Sequence, residues 1–194
     1  IWEVVEAAST KPFGFMPFYP GPGMGGHCIP IDPFYLSWKA REYDFHTEFI
    51  ELAGKINENV PHYVAQKITE ALNEQQKSIN GSRILIIGVA YKRNVADTRS
   101  SPALKIIELL SEHKAIISYH DPLVEKIEVR GISYQSQPLT KNEAINSDCV
   151  AIITDHDNID YEMIVHYPLI DSVVGEYSIS TVGPGPRAQR HWAL

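Results

Sequence analysis

Residues 83–89, RILIIGV, are apolar almost without interruption. A strand with one wet face alternates apolar and polar side chains, so an unbroken run of this length belongs to a strand buried on both faces. Such a strand needs helices above and below it. The rest of the chain supplies them: 115–119, 149–154 and 169–174 read as further strands, and 101–110, 139–146 and 159–165 as helices between them. Ser101-Pro102 opens the first of these helices with a capping hydroxyl and a proline at the first helical position. Strands alternating with helices predict an α/β fold, a Rossmann-like parallel sheet with right-handed crossovers.

Before the sheet, residues 47–76 carry a long helical pattern that Asn80-Gly81 stops. Phe49, Ile50, Ala53, Ile56 and Val60 lie on one stripe, and Val64, Ile68, Ala71 and Leu72 on another. Pro61 removes one amide and crowds the preceding turn, so a kink or restart is expected there. This connector either carries a dimer contact or packs within its own chain. Residues 1–8 read as the end of an earlier helix and 33–43 as a short one, whose Tyr35, Leu36 and Trp38 are expected in the core. The expected organisation is therefore a helical piece with a long connecting helix over 1–78, the sheet domain over 79–174, and an irregular Gly-, Pro- and Arg-containing tail over 175–194.

Two loops carry the candidate chemistry. From Tyr19 to Pro33, YPGPGMGGHCIPIDP holds four glycines and four prolines in fifteen residues, which forces a shaped loop rather than a helix or central strand. Cys28 stands near its end, and Asp32-Pro33 reads as a helix start with the carboxylate on the exposed amides. Backbone N–H groups and a helix dipole favour a thiolate, so Cys28 is a candidate nucleophile; the alternative is a small buried hydrophobe. Gly25 and Gly26 would let the backbone approach a ligand, and Asp32 could orient a water or proton near the sulfur. The second loop follows the first strand, at the end of a parallel sheet where ligands bind. It reads AYKRNVADTRSSP and offers Lys92, Arg93 and Arg99 ahead of a helix start, suited to a phosphate or carboxylate or else a solvated charged surface. It has no GxGxxG, so a standard dinucleotide site is not expected on this sheet.

A net charge of −7 argues against binding along a nucleic-acid backbone. Cys28 and Cys149 form no metal-ligand or disulfide pattern, so no metal site is expected and a reducing compartment is. With no run approaching a bilayer span and no signal-like start, a cytoplasmic protein without membrane contact is expected.

GPGMGGHCIPIDP and GVAYKRNVADTRSSPA, in this order and joined by a long helix, resemble the two signature segments of the nucleotide-sugar 6-dehydrogenases, the UDP-glucose/GDP-mannose dehydrogenase family. The resemblance covers roughly residues 1–171. GHCIPIDPFYL, with Ile31 where the UDP-glucose enzymes usually carry lysine, looks most like the branch acting on UDP-N-acetylhexosamines. It implies an enzyme of nucleotide-sugar metabolism and polysaccharide biosynthesis that oxidises the sugar's primary alcohol to a carboxylate with two NAD. Cys28 would form a thiohemiacetal and then a thioester, with Asp32 assisting proton transfer. Tyr19, Pro20 and Gly25 would line the UDP-sugar, Tyr91 and Lys92 would contact it from the second domain, and Arg99 would reach toward NAD. The resemblance also implies a homodimer.

Three departures stand against the family pattern. The amino-terminal NAD-binding domain has no counterpart in these residues, so the chain is expected to be a carboxy-terminal piece or truncated product, without turnover by itself. Asp171-Ser172-Val173 stands where an arginine usually follows the aspartate, and Lys11-Pro12-Phe13 where relatives carry an arginine that enters a neighbouring subunit's site. These departures keep a non-catalytic UDP-sugar-binding or dimerisation module as the alternative.

Overall fold

The computed structural model describes residues 2–19, 21–161 and 164. Among the described residues ten elements follow one another: α1 (Trp2–Ser9), α2 (Asp32–Arg41), α3 (Glu48–Glu74), β1 (Arg83–Ile87), α4 (Pro102–Glu112), β2 (Ile116–His120), β3 (Lys126–Val129), β4 (Ile132–Gln135), α5 (Lys141–Ile145) and β5 (Cys149–Ile152). The expected α/β architecture with a parallel sheet is present. β1 is its centre, pairing in parallel with β2 on one side and β5 on the other, with Ile84 opposite both Ile117 and Cys149.

The apolar run explains this position. Ile84 and Ile86 point to one face, where they pack with Val64, Ile68 and Leu72 of α3 and Ile106, Ile107 and Leu110 of α4. Leu85 and Ile87 point to the other, against Ala144, Val150, Ile152, Ile159 and Ile164. Every β1 side chain after Arg83 is thus buried, which is why the strand shows no alternation. Ser101 caps α4 as expected, its hydroxyl accepting from the Ala103 amide at 3.3 Å.

α3 is continuous through Pro61, so the expected restart does not occur. Its carboxyl half belongs to the sheet's core, while Phe49, Leu52 and Ile56 of the amino half are exposed. It also ends sooner than the sequence suggests. Gln76 takes a left-handed φ of 59°, and the amides of Gln76 and Lys77 donate back to the Asn73 and Leu72 carbonyls at 2.9 Å each. This closes the helix without glycine, and Asn80-Gly81 instead shapes the entry to β1.

The expected burial of Tyr35, Leu36 and Trp38 is overturned: they are 68%, 58% and 63% exposed. α2 meets α3 along one edge, where the Phe34 ring occupies the space a side chain at Gly54 would fill and Ser37 Oγ lies 2.5 Å from Thr47 Oγ1. The antiparallel β3–β4 pair was not anticipated from the sequence. Its turn is Arg130-Gly131, both with positive φ, and Ile127 and Val129 bury against the α4 side of the core. The strand expected over 169–174, part of the helix expected over 159–165 and the tail from 175 lie outside the described residues.

Candidate active site

From β1 the chain crosses to β2 on one side and then returns past β1 to β5 on the other, so a crevice opens at the carboxyl ends of β1 and β5. A cavity of about 200 Å³ lies there, lined by Tyr19, Gly21 and Gly23 of the first loop, Tyr91, Lys92 and Arg93 after β1, and Thr154 and Asp155 after β5. Tyr19, Tyr91 and Lys92, from two distant parts of the sequence, are therefore brought to one cavity. Among the described residues nothing pairs with the exposed Lys92 ammonium, whereas Arg93 is held by Asp155 and Asp157. Pro20 lies outside the described residues.

The loop after β1 is tied at several points. Gly88 has φ +76°, and a Cβ there would lie 1.9 Å from the Thr154 carbonyl oxygen, so only glycine lets the two loops touch. That space is filled by protein, which leaves no room for a pyrophosphate against this glycine. Thr154 Oγ1 donates to the Ala90 carbonyl at 2.7 Å, and Asn94 and Asp157 exchange a pair of hydrogen bonds at 2.5 and 3.0 Å. Asp121 and His156 add the buried end of this clasp. The sequence gives no sign of this cluster, because Val89, Ala90 and His156 lie more than thirty residues from Asp121.

The cysteine loop is clamped to the same structure. Asn57 of α3 accepts from the Met24 amide at 2.6 Å and donates to its carbonyl at 3.2 Å. The Gly26 amide donates to the Arg99 carbonyl at 2.8 Å. A Cβ on Gly25 would meet the Ser100 carbonyl oxygen at 2.6 Å, and one on Gly26 would meet the Tyr91 ring at 2.9 Å. The glycines are thus needed for the close approach of this loop to Ser100 and Tyr91. Tyr91 both lines the cavity and presses on the loop two residues before Cys28.

Cys28 is exposed, with Sγ 3.8 Å from His27 Nδ1. Its carbonyl accepts from the Ile31 and Asp32 amides at 3.0 and 2.8 Å, so the residue sits at the mouth of α2, where the dipole favours a negative charge. Asp32 is the first residue of α2 rather than its cap; Ile31 holds the cap position and makes no side-chain cap bond. The exposed Asp32 carboxylate stands one turn from Cys28, in the acidic first turn. Arg99 pairs with Asp97, its Nε at 2.9 Å and Nη2 at 2.6 Å from Oδ2. This guanidinium holds the Asp97 carboxyl below its usual range; Asp97 first, then weakly Tyr91 and Cys28, favour the charged Arg99. Arg99 is thereby within electrostatic reach of the thiol.

The sequence matches the description "UDP-glucose/GDP-mannose dehydrogenase family, central domain" over residues 1–59 and "UDP binding domain" of the same family over residues 85–173, together well over half the chain. It is 37% identical to a UDP-N-acetyl-D-mannosamine dehydrogenase of Methanococcus maripaludis over 81% of this chain and 34% of that protein. It is 30% identical to a UDP-N-acetyl-D-glucosamine 6-dehydrogenase of Salmonella typhi over 79% of this chain and 35% of the relative. The solved UDP-D-ManNAc dehydrogenase from Pyrococcus horikoshii superposes with a TM-score of 0.70 at 30% identity, over 84% of this chain and 37% of that one. The chain spans about a third of the length of the curated relatives it matches. With both halves of the match carrying the two loops that meet at the cavity, the chain belongs to the UDP-glucose/GDP-mannose dehydrogenase family.

Proposed function

We propose that this chain supplies the nucleophile and the nucleotide grip of a UDP-N-acetylhexosamine 6-dehydrogenase. One observation carries the reading: an exposed cysteine sits on a loop fastened to the wall of a cavity at the sheet's switch point. Residues 1–78 bring the thiol and 79–174 the UDP site. Lys92 answers the diphosphate as a point charge, with Tyr19 and Tyr91 as flat walls. Cys28 thiolate adds to the carbonyl carbon of the 6-aldehyde, forming a C–S bond while the oxygen takes up a proton. Loss of hydride from that carbon and of the proton from the hydroxyl leaves a thioester, and water then releases the carboxylate and restores the thiol. Asp32 orients the proton or the water. NAD supplies the hydride acceptor for both oxidations.

The loop after β1 does not form a dinucleotide cradle, so the cofactor is held by a separate domain with Arg99 at its margin. The 194 residues alone are then expected to give no NADH with a UDP-sugar. We place the chain in the cytoplasm, where a nucleophilic thiol stays reduced; among the described residues no helix is long and apolar enough to cross a membrane. The exposed Phe49, Leu52 and Ile56 of α3 are assigned to a contact with a second copy of the chain.

Because Cys149 is buried in the core, the fair standard for Cys28 is a small thiol in solution. Cys28 is expected to react with iodoacetamide at neutral pH faster than glutathione does, and UDP-N-acetylglucosamine should slow that reaction. A rate equal to that of glutathione, unchanged by the nucleotide sugar, leaves a binding module without the chemistry.

A further inference from the structure

Three strand ends converge on one buried carboxylate to which the proposed chemistry assigns no role. Asp121, 3% exposed, directly follows β2. Its Oδ2 accepts the amides of Val89 and Ala90 at 2.7 and 3.1 Å, and its Oδ1 those of Leu123 and Val124 at 2.9 and 3.0 Å. His156, fully buried after β5, places Nε2 3.2 Å from the same Oδ2. Its Nδ1 lies 3.0 Å from the Asn94 amide. An amide can only donate, so Nδ1 accepts, and the proton stands on Nε2, which donates to Asp121. Five N–H groups from the loops after the three described strands of the sheet thus meet on one carboxylate.

We propose that Asp121 and His156 are positioning residues that set the loop after β1, and through Tyr91 the cysteine loop, in the geometry a bound nucleotide sugar meets. The cluster fixes the loop at its start, through Val89 and Ala90, and at its middle, through Asn94. Between these anchors stand Tyr91, Lys92 and Arg93, the loop's three cavity-lining residues. Tyr91 passes the placement on, since its ring fills the space beside Gly26. Apolar side chains could fill the same volume, but they could not hold five amides in one arrangement. The sheet keeps its own ladder bonds when the cluster is broken, so the loops should loosen while the strands hold. The nucleotide part of the inference rests on reading the cavity as a UDP site.

Amide hydrogen exchange and calorimetric titration with UDP test both parts on the full chain. In His156→Phe the amides of β1 should stay protected while those of Val89, Ala90 and Asn94 exchange about tenfold faster or more, and UDP affinity should fall by a similar factor. His156→Gln, whose amide donates at one end and accepts at the other, should recover most of both. If the phenylalanine variant does not fold, Asp121→Asn decides instead: it keeps one acceptor oxygen, sets an NH2 donor against amides that the carboxylate accepted, and should loosen the same loop. Nitrogen-15 spectra of the histidine should show the neutral Nε2–H tautomer. Unchanged loop exchange in the folded variant, or a proton on Nδ1, overturns the positioning role. If the unaltered chain fails to bind UDP, the cavity reading falls, and the exchange data alone still decide whether the cluster holds the loop.

Discussion

At the scale of single residues, the glycines decide how the two loops meet. Gly88 is the most constrained, because both its φ and the Thr154 carbonyl exclude a side chain. Gly88→Ala is expected to destabilise the fold by roughly 3 kcal/mol or more, read as a lowered midpoint in urea or as loss of soluble protein. An alanine variant as stable as the parent would show that the β1 and β5 loops are not in contact. Sequence reading found the cysteine and the glycine cluster because chemistry and backbone freedom are written in residue type. It assigned Gly25 and Gly26 to ligand approach; their contacts within the chain, Gly25 against Ser100 and Tyr91 and Gly26 against Tyr91, it did not find. It did not find Asp121, His156, Asn57 or Asp157, whose roles depend on partners far along the chain.

At the scale of elements, long periodic segments and continuous apolar runs were legible, since burial imposes them directly. Three features were not. α2 buries only Ser37, so its aromatics could not be distinguished from core residues by type. The β3–β4 pair has four-residue strands, too short for alternation to stand out. The end of α3 uses a left-handed glutamine where glycine is the usual sign. Just beyond that end, Lys77 Nζ donates to Asp148 Oδ1 at 2.6 Å, and the Arg83 amide donates to Oδ2 at 2.8 Å, fastening α3, β1 and β5 together. Lys77 foremost, then the Arg83 amide, holds the Asp148 carboxyl below its ordinary 3.8. Because the folded value is the lower one, the pair stabilises the fold above about pH 4 and the contribution fades as pH falls through the depressed value. Asp148→Asn should therefore cost on the order of 1 kcal/mol at neutral pH, after allowance for solvent screening, and flatten the acid side of the stability profile. Equal stability of parent and variant at pH 7 would contradict the fastening.

At the scale of the whole molecule, the cysteine loop and the cavity are packed on one frame. The carboxyl half of α3 lies in the core of the sheet domain, and its amino half holds α2 and, through Asn57, the cysteine loop. Thiol and cavity are thereby placed by one continuous helix. The exposed stripe on the amino half predicts self-association, which sedimentation at micromolar concentration should show as a dimer; a monomer would remove that contact from the account.

The central claim is that the cavity between the two loops takes the nucleotide, and calorimetric titration of the chain with UDP tests it most directly. Saturable binding that weakens about tenfold in Lys92→Ala, the loss of one charge-assisted contact, is the predicted result. No binding by the folded parent, or binding indifferent to Lys92, would contradict it.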